Sequence, residues 1–306
     1  MILTQKFRPA ASWRVKLAMF VLATAVLPIA ATAVSVGEDT DSGESAKEAA
    51  VPAKNSRTDN EKSEKPVAGT ETRQDAAKSV VAHWRLQRGL AGGVADSSQL
   101  IEDSSGNDRH GRAVGGPKYR SVNLPKSNLA LAFDGHDDRI AITDDPLFHL
   151  TKSFTIEAYI QIDVYPGSAA KFSQIVFRGD NRMGFDPWFL AVRESGQLQF
   201  LVADALNNAA YVRSPEPIPT RQFVHVAGTL DDETGRMSLF INGKRVATTK
   251  TKIRACGALG GPGPGIGIGN RQVYSNHAFG GTIDEVRISA AALSPGEFLA
   301  PPVSER

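Results

Sequence analysis

The sequence predicts an all-β fold of many short strands, a sandwich or a barrel. Three observations carry this. From about Val80 onward, apolar and polar residues alternate with period two over short segments, the pattern of strands with one buried face. Gly, Pro, Asn and Asp punctuate the gaps, and no amphipathic helix of useful length appears. About 220 residues is an ordinary size for one all-β unit.

The first strand candidates are Val80–Leu86, Leu129–Phe133 and Arg139–Ile142. In Phe154–Ile162, residues Phe154, Ile156, Ala158, Ile160 and Ile162 share one face, and Thr155, Glu157, Tyr159 and Gln161 share the other, expected to be wet. Gln174–Phe177, Phe189–Arg193, Gln197–Val202, Ala209–Val212 and Phe223–Leu230 follow. Met237, Leu239 and Ile241 then alternate with Arg236, Ser238 and Phe240, and Asn242-Gly243 predicts a type I′ hairpin turn into a return strand at Lys244–Thr248. Ile266–Ile268 and Gly281–Ser289 are the last strands, and Ser294–Leu299 carries a short helical turn. The stretch Gly257–Gly269 contains Gly263-x-Gly265-x-Gly267, but Pro262 and Pro264 interrupt it and no helix follows. It reads as a loop entering a strand, not as a nucleotide loop.

The N-terminus carries Lys6, Arg8, Arg14 and Lys16 and no acid, then an apolar run from Leu17 to Val34 ending in Ala31-Thr32-Ala33. This is the layout of a signal peptide over residues 1–33, cleaved after Ala33. An uncleaved membrane anchor is the alternative, since the run is near the length that spans a bilayer. Residues 34–79 are rich in Glu, Asp, Lys, Ser, Thr and Ala and have no aromatic residue, so they are expected to form a disordered linker. Residues 301–306 form a short tail. Removal of the four bases takes the formal charge from +2 to −2. With no basic stripe left, nucleic acid is excluded as a partner. The expected location is secreted, periplasmic or envelope, with a membrane involved only if the anchor is retained. The lone Cys256 cannot form an internal disulfide. It reads as a small buried hydrophobe, with an intermolecular bridge or a reactive thiol as the alternatives.

Six fragments occur in order: D-x-S-G-N at Asp103–Asn107, A-F-D-G-x-x-D at Ala132–Asp138, S-F-T-I-E-A-Y-I at Ser153–Ile160, F-V-H-V-A-G at Phe223–Gly228, L-F-I-N-G-K at Leu239–Lys244 and G-G-T-I-D-E-V-R-I-S at Gly280–Ser289. Together they resemble the laminin-G-like, concanavalin A-like jelly-roll domains of secreted proteins, from Val80 to about Leu299. The resemblance implies two curved antiparallel sheets and a domain that binds rather than converts. It also raises the case for a calcium ion.

Period two places Asp284 on the inward face with Val286 and Ile288. An inward carboxylate needs backbone donors, a basic side chain or a metal. Calcium suits carboxylate oxygens, with Asp134 and Asp138 of the acidic turn as co-ligands for Asp284. The alternative, a structural role for Asp284 in pinning the closing strand, stays open. For sugar binding the candidates are Trp188, where a loop meets a strand, and Tyr274, Arg271 and Asn276 in the loop 270–278. Ordinary packing is the competing reading for each ring.

No catalytic constellation emerges. The E-x-D-x-x-E strand of glucanases on this fold is absent, and Asp284-Glu285 places adjacent carboxylates on opposite faces. Ser168-x-x-Lys171 lacks the companion motifs of acyl-transfer enzymes. His225 reads as a structural histidine. The expected function is an exported, non-catalytic binding module for a polysaccharide, a cell-surface glycan or a protein. A divergent glycoside hydrolase or lyase and a structural envelope protein are the alternatives.

Overall fold

A computed structural model of the chain describes residues 79–124, 126–179, 186–260, 265–273 and 276–299. The segment read as a signal peptide, residues 34–78 of the expected linker, Tyr274 and the tail 301–306 lie outside them. In chain order the strands are β1 (Val80–Trp84), β2 (Leu100–Ile101), β3 (Gly111–Val114), β4 (Lys118–Leu124), β5 (Ser127–Asp134) and β6 (Arg139–Thr143). Next come β7 (Phe154–Ile162), β8 (Phe172–Gly179), β9 (Trp188–Arg193), β10 (Gln197–Ala203) and β11 (Ala209–Pro217). The series closes with β12 (Val224–Asp231), β13 (Arg236–Ile241), β14 (Lys244–Lys250), β15 (Gly265–Ile268) and β16 (Gly280–Ser289).

They form two antiparallel sheets of eight strands. The first runs β14-β13-β12-β7-β16-β5-β4, with β1 also on β16. The second runs β11-β10-β9-β8-β15-β6-β3-β2. The inward residues interdigitate as one core. Phe154 of the first sheet meets Trp188 and Phe200 of the second, with ring centroids 6.2 and 5.6 Å apart. At the β13–β14 hairpin Asn242 and Gly243 both have positive φ, 50° and 74°, as a type I′ turn requires.

The D-x-S-G-N fragment is a structural staple. Asp103 accepts from the N–H groups of His83, Ser105 and Arg109 at 2.8–3.0 Å, and Asn107 Nδ2 donates to the Val80 and Val81 carbonyls. Burial alone would raise the Asp103 carboxyl. These bonds outweigh it and hold the group below its usual range.

The outer face of β7 is not wet. All nine residues of the strand are buried. The chain after β16 folds back over this face. Phe298 packs on His225 and Phe240, and the Leu299 N–H donates to Glu157 Oε2 at 2.8 Å. Alternation in the strand alone could not report a cover supplied from more than 130 residues away.

Candidate functional site

At one end of the sandwich, β5 leaves the first sheet and turns into β6 of the second. Asp134, Asp137 and Asp138 bring one carboxylate oxygen each to within 4.8 Å of one another. The backbone organises the turn: the His136 N–H donates to Asp134 Oδ1 at 2.8 Å, and the Asp134 N–H donates to Asp138 Oδ2 at 2.9 Å. Burial, reinforced by the charges of Asp134 and Asp137, pushes the Asp138 carboxyl up to about 6 despite that second bond. Three hard oxygen donors gathered against their own repulsion are a set that fits a hard cation. A cleft beside the turn is also lined by His136, Tyr165, Ser173 and Asn276.

Asp284 does not join this set, which corrects the expected grouping of Asp134, Asp138 and Asp284. Its carboxylate accepts from Ser127 Oγ at 2.8 Å. Ser127 and Asp134 are the two ends of β5, about 24 Å apart at an extended rise. The strict alternation behind its expected orientation is interrupted, because β16 carries a bulge. Ile283 pairs with Ile160 and Val286 with Ala158. Two residues, Asp284 and Glu285, therefore oppose the single residue Tyr159, and strict alternation is lost. Both carboxylates are buried and tied down. Glu285 lies 2.6 Å from His83 Nε2. Burial, together with the Glu285 charge, pushes the Asp284 carboxyl up to about 7 despite its bonds from Ser127 and Gln87. The Tyr159 phenol is pushed up by burial and by the Glu285, Glu157 and Asp284 carboxylates around it, and its hydroxyl has no partner among the described residues.

The outer face of the second sheet is different in character. Register places Tyr211, Leu201, Phe189, Phe177 and Gly267 in one row across β11, β10, β9, β8 and β15. A parallel row holds Arg213, Gln199, Ala191 and Gln174. Phe177, Phe189 and Ala191 form an apolar cluster separate from the main core, with Phe172 and Leu201 against it. Guanidiniums sit over this floor: Arg271 over Phe177 at 5.4 Å, Arg193 over Phe172 at 5.4 Å and Arg213 over Tyr211 at 4.2 Å. Tyr211 is 48% exposed at the edge, whereas Gln199 is 2% exposed beneath the arginines.

Gly267 shapes this face. A Cβ there would lie 2.1 Å from the Asn270 carbonyl oxygen and 2.8 Å from the Arg271 backbone. Only glycine lets the β15–β16 loop fold back onto the sheet and carry Arg271 over Phe177. Burial, with Arg271 beside it, pushes the His277 imidazole down to about 4, so it is neutral near pH 7. Ten buried polar side-chain atoms lack a partner among the described residues. Five sit on or under this loop: Gln174 Oε1, Asn270 Nδ2, Arg271 Nε, Gln272 Oε1 and His277 Nδ1.

The residues expected to bind sugar therefore separate. Arg271 reaches the sheet face, Asn276 is exposed at the end cleft, and Tyr274 lies outside the described residues. Trp188 must be withdrawn as a stacking platform. It is fully buried against Phe154, because its position on β9 faces inward with Leu190 and Val192. Cys256 is half-buried and free rather than a core residue. Sequence reasoning missed Phe172, Arg193, Gln199, Tyr211 and Arg213. The signal was present in the outward positions of Gln197–Ala203 and Ala209–Pro217, but it needed the pairing of β9, β10 and β11 to become one surface.

Among the described residues no helix is long and apolar enough to cross a membrane. No curated protein matches the sequence. Solved structures share the fold at low identity. The binding domain of Paraclostridial Mosquitocidal Protein 1 aligns with a TM-score of 0.52 and 16% identity over 72% of this chain and 51% of that one. The binding domain of botulinum neurotoxin DC, solved with SialylT, gives 0.52 and 16% over 72% and 50%. Domain 4 of AbnA, a GH43 extracellular arabinanase from Geobacillus stearothermophilus solved with arabinotriose, gives 0.50 and 20% over 72% and 96%. The chain thus spans about half the length of the two toxin domains. The profile of a laminin G family described as the concanavalin A-like lectin/glucanases superfamily matches residues 134–298, more than half of the 306 residues. The chain belongs to that family.

Proposed function

We propose that the chain is an exported, non-catalytic module that binds carbohydrate through the outer face of its second sheet. The observation that carries this is a surface of exposed Tyr211 and half-buried Phe172 and Leu201, held from beneath by the buried Phe177 and Phe189 and overlaid by Arg193 and Arg213. Sugar rings stack their C–H faces on such floors, and guanidiniums donate in-plane to hydroxyl and acidic oxygens. The glycans bound by neurotoxin DC and AbnA domain 4 agree with this reading of the fold.

Calcium belongs to the proposal as a structural ion at Asp134, Asp137 and Asp138. Bound there it would neutralise the crowded carboxylates and stiffen the β5–β6 turn. The non-catalytic reading is supported by the burial of Asp284 and Glu285, each engaged with a neighbouring side chain. Export is supported by the signal-peptide layout of residues 1–33, and N-terminal sequencing of the mature protein should begin at Val34.

A glycan array followed by titration calorimetry tests the binding claim. Binding that Tyr211→Ala weakens about tenfold supports it. Absence of binding to any glycan, with and without calcium, overturns it.

A further inference from the structure

We propose that Arg193 and Arg213 form a subsite for an acidic substituent, so that the glycan this face takes carries a carboxylate or sulfate. The inference rests on the carbohydrate reading above and narrows it to a ligand class. Both arginines project from the outer face, on β9 and β11, and both converge on one atom of the strand between them. Gln199 Oε1 accepts from Arg213 Nε at 2.7 Å and from Arg193 Nη1 at 3.2 Å. Gln199 is itself 2% exposed. The shared acceptor is therefore a fixed post rather than a mobile surface group.

The rings complete the clamp. Tyr211 lies under the Arg213 guanidinium and Phe172 under that of Arg193. Stacking of this kind lowers the rotamer entropy lost when a ligand is bound. It also leaves the in-plane N–H groups as the binding edge. Because the Arg213 contact to Gln199 uses Nε, both of its terminal nitrogens remain for a ligand, the geometry that suits a two-oxygen anion.

Little of this charge is compensated among the described residues. Among the described residues Arg213 and Arg271 make no ion pair. Arg193 has only Glu194, whose carboxylate lies 3.9 Å from Nη2 and is 40% exposed. Surface pairs of that kind are weak and screened by salt. The more deeply buried Arg178 and Arg287 are instead paired: Arg178, inside the sandwich, is held two-pronged by Asp144 at 2.9 Å, and Arg287 is held by Glu157. Cationic groups aligned on an aromatic floor without a matching carboxylate form a surface complementary to an anion.

The test uses the full chain and pairs of saccharides that differ only in charge. One pair is trigalacturonate and its methyl ester. The other is dextran sulfate oligosaccharide and unmodified dextran of the same length. Titration calorimetry at 0.05 and 0.3 M salt gives the affinities. We expect the charged member of at least one pair to bind at least tenfold more tightly than its neutral partner, with the preference shrinking at high salt. The pair that responds distinguishes carboxylate from sulfate. The double variant Arg193→Gln, Arg213→Gln should lose that preference, so that the charged and neutral members bind alike. Circular dichroism and melting temperature confirm that it is folded. Equal binding of charged and neutral members overturns the acidic subsite and leaves the carbohydrate reading standing, as does a preference that the double variant retains. Failure of every saccharide to bind overturns both.

Discussion

Glu157 and His225 face each other across β7 and β12, completely buried, with Nε2 and Oε2 2.8 Å apart beneath the ring of Phe298. Glu157 is the hub: its other oxygen accepts from Arg287 Nε at 2.7 Å, and Oε2 also accepts from the Leu299 N–H. The carboxylate thus ties the central strands to the chain that covers them. Removing one partner of a buried, hydrogen-bonded ionic group costs about 3–5 kcal/mol, because the other is left unpaired. Glu157→Ala should lower unfolding free energy by that amount in urea titration. Proteolysis should then cut first near residues 293–299, where the cover loses its anchor.

Asp284 makes stability depend on pH in an unusual direction. Its carboxyl is raised from 3.8 to about 7 in the folded chain by burial first and by Glu285 next. Between those values the folded chain holds a proton that the unfolded chain has released. Folding is therefore most favoured by this group below about pH 4, and that contribution is lost as the pH rises through 7. The full span is worth at most about 4 kcal/mol at 1.36 kcal/mol per unit. Asp284→Asn, which mimics the protonated acid, should match the native chain near pH 4 and exceed its stability at pH 8. Unfolding curves at both pH values check this. Equal destabilisation at both would mean that the charged form is the one the fold needs.

How far the sequence reached depended on which interactions are local. The strand Phe154–Ile162 was legible to its ends because its alternation is carried by its own residues. The strands Leu100–Ile101, Gly111–Val114 and Lys118–Leu124 were not, since they are short or polar and owe their state to pairing with β3, β6 and β5 in turn. The break in alternation at Asp284 was hidden for a related reason: a bulge is a relation between two strands and leaves no mark in the spacing of one. Trp188 reads as the junction of a loop and a strand because Pro187 precedes it, and the strand it begins turns its ring inward. The acidic turn was readable because its three carboxylates lie within five residues. The arginine-bearing face was not, because its residues come from separate strands.

Calcium should act on the β5–β6 turn alone. With millimolar calcium the melting temperature of the native chain should rise by several degrees, since a ligand that binds only the folded state at 100 times its dissociation constant adds about 2.7 kcal/mol. Asp138→Asn should abolish the increment, because Asp138 is the buried member of the three. Asp284→Asn should leave it intact. An unchanged increment in Asp138→Asn would place the ion elsewhere.

Gly267 separates the binding face from the fold that supports it. It lies in β15 between Phe177 and Ala141, and the chain at Asn270–Gln272 rests directly on it. A methyl group there meets backbone atoms rather than the yielding end of a side chain. Gly267→Ala should therefore lift the loop rather than disturb the core, because Ile266 and Ile268 face inward and keep their contacts. Arg271 then leaves Phe177, and His277 loses both its burial and its charged neighbour. Its imidazole should rise from about 4 toward the ordinary value near 6.5. NMR titration of the histidine ring reads that shift directly, and the same sample should bind glycan at least tenfold more weakly. A histidine that still titrates near 4 would show that the loop tolerates the methyl group and is not seated by the missing side chain.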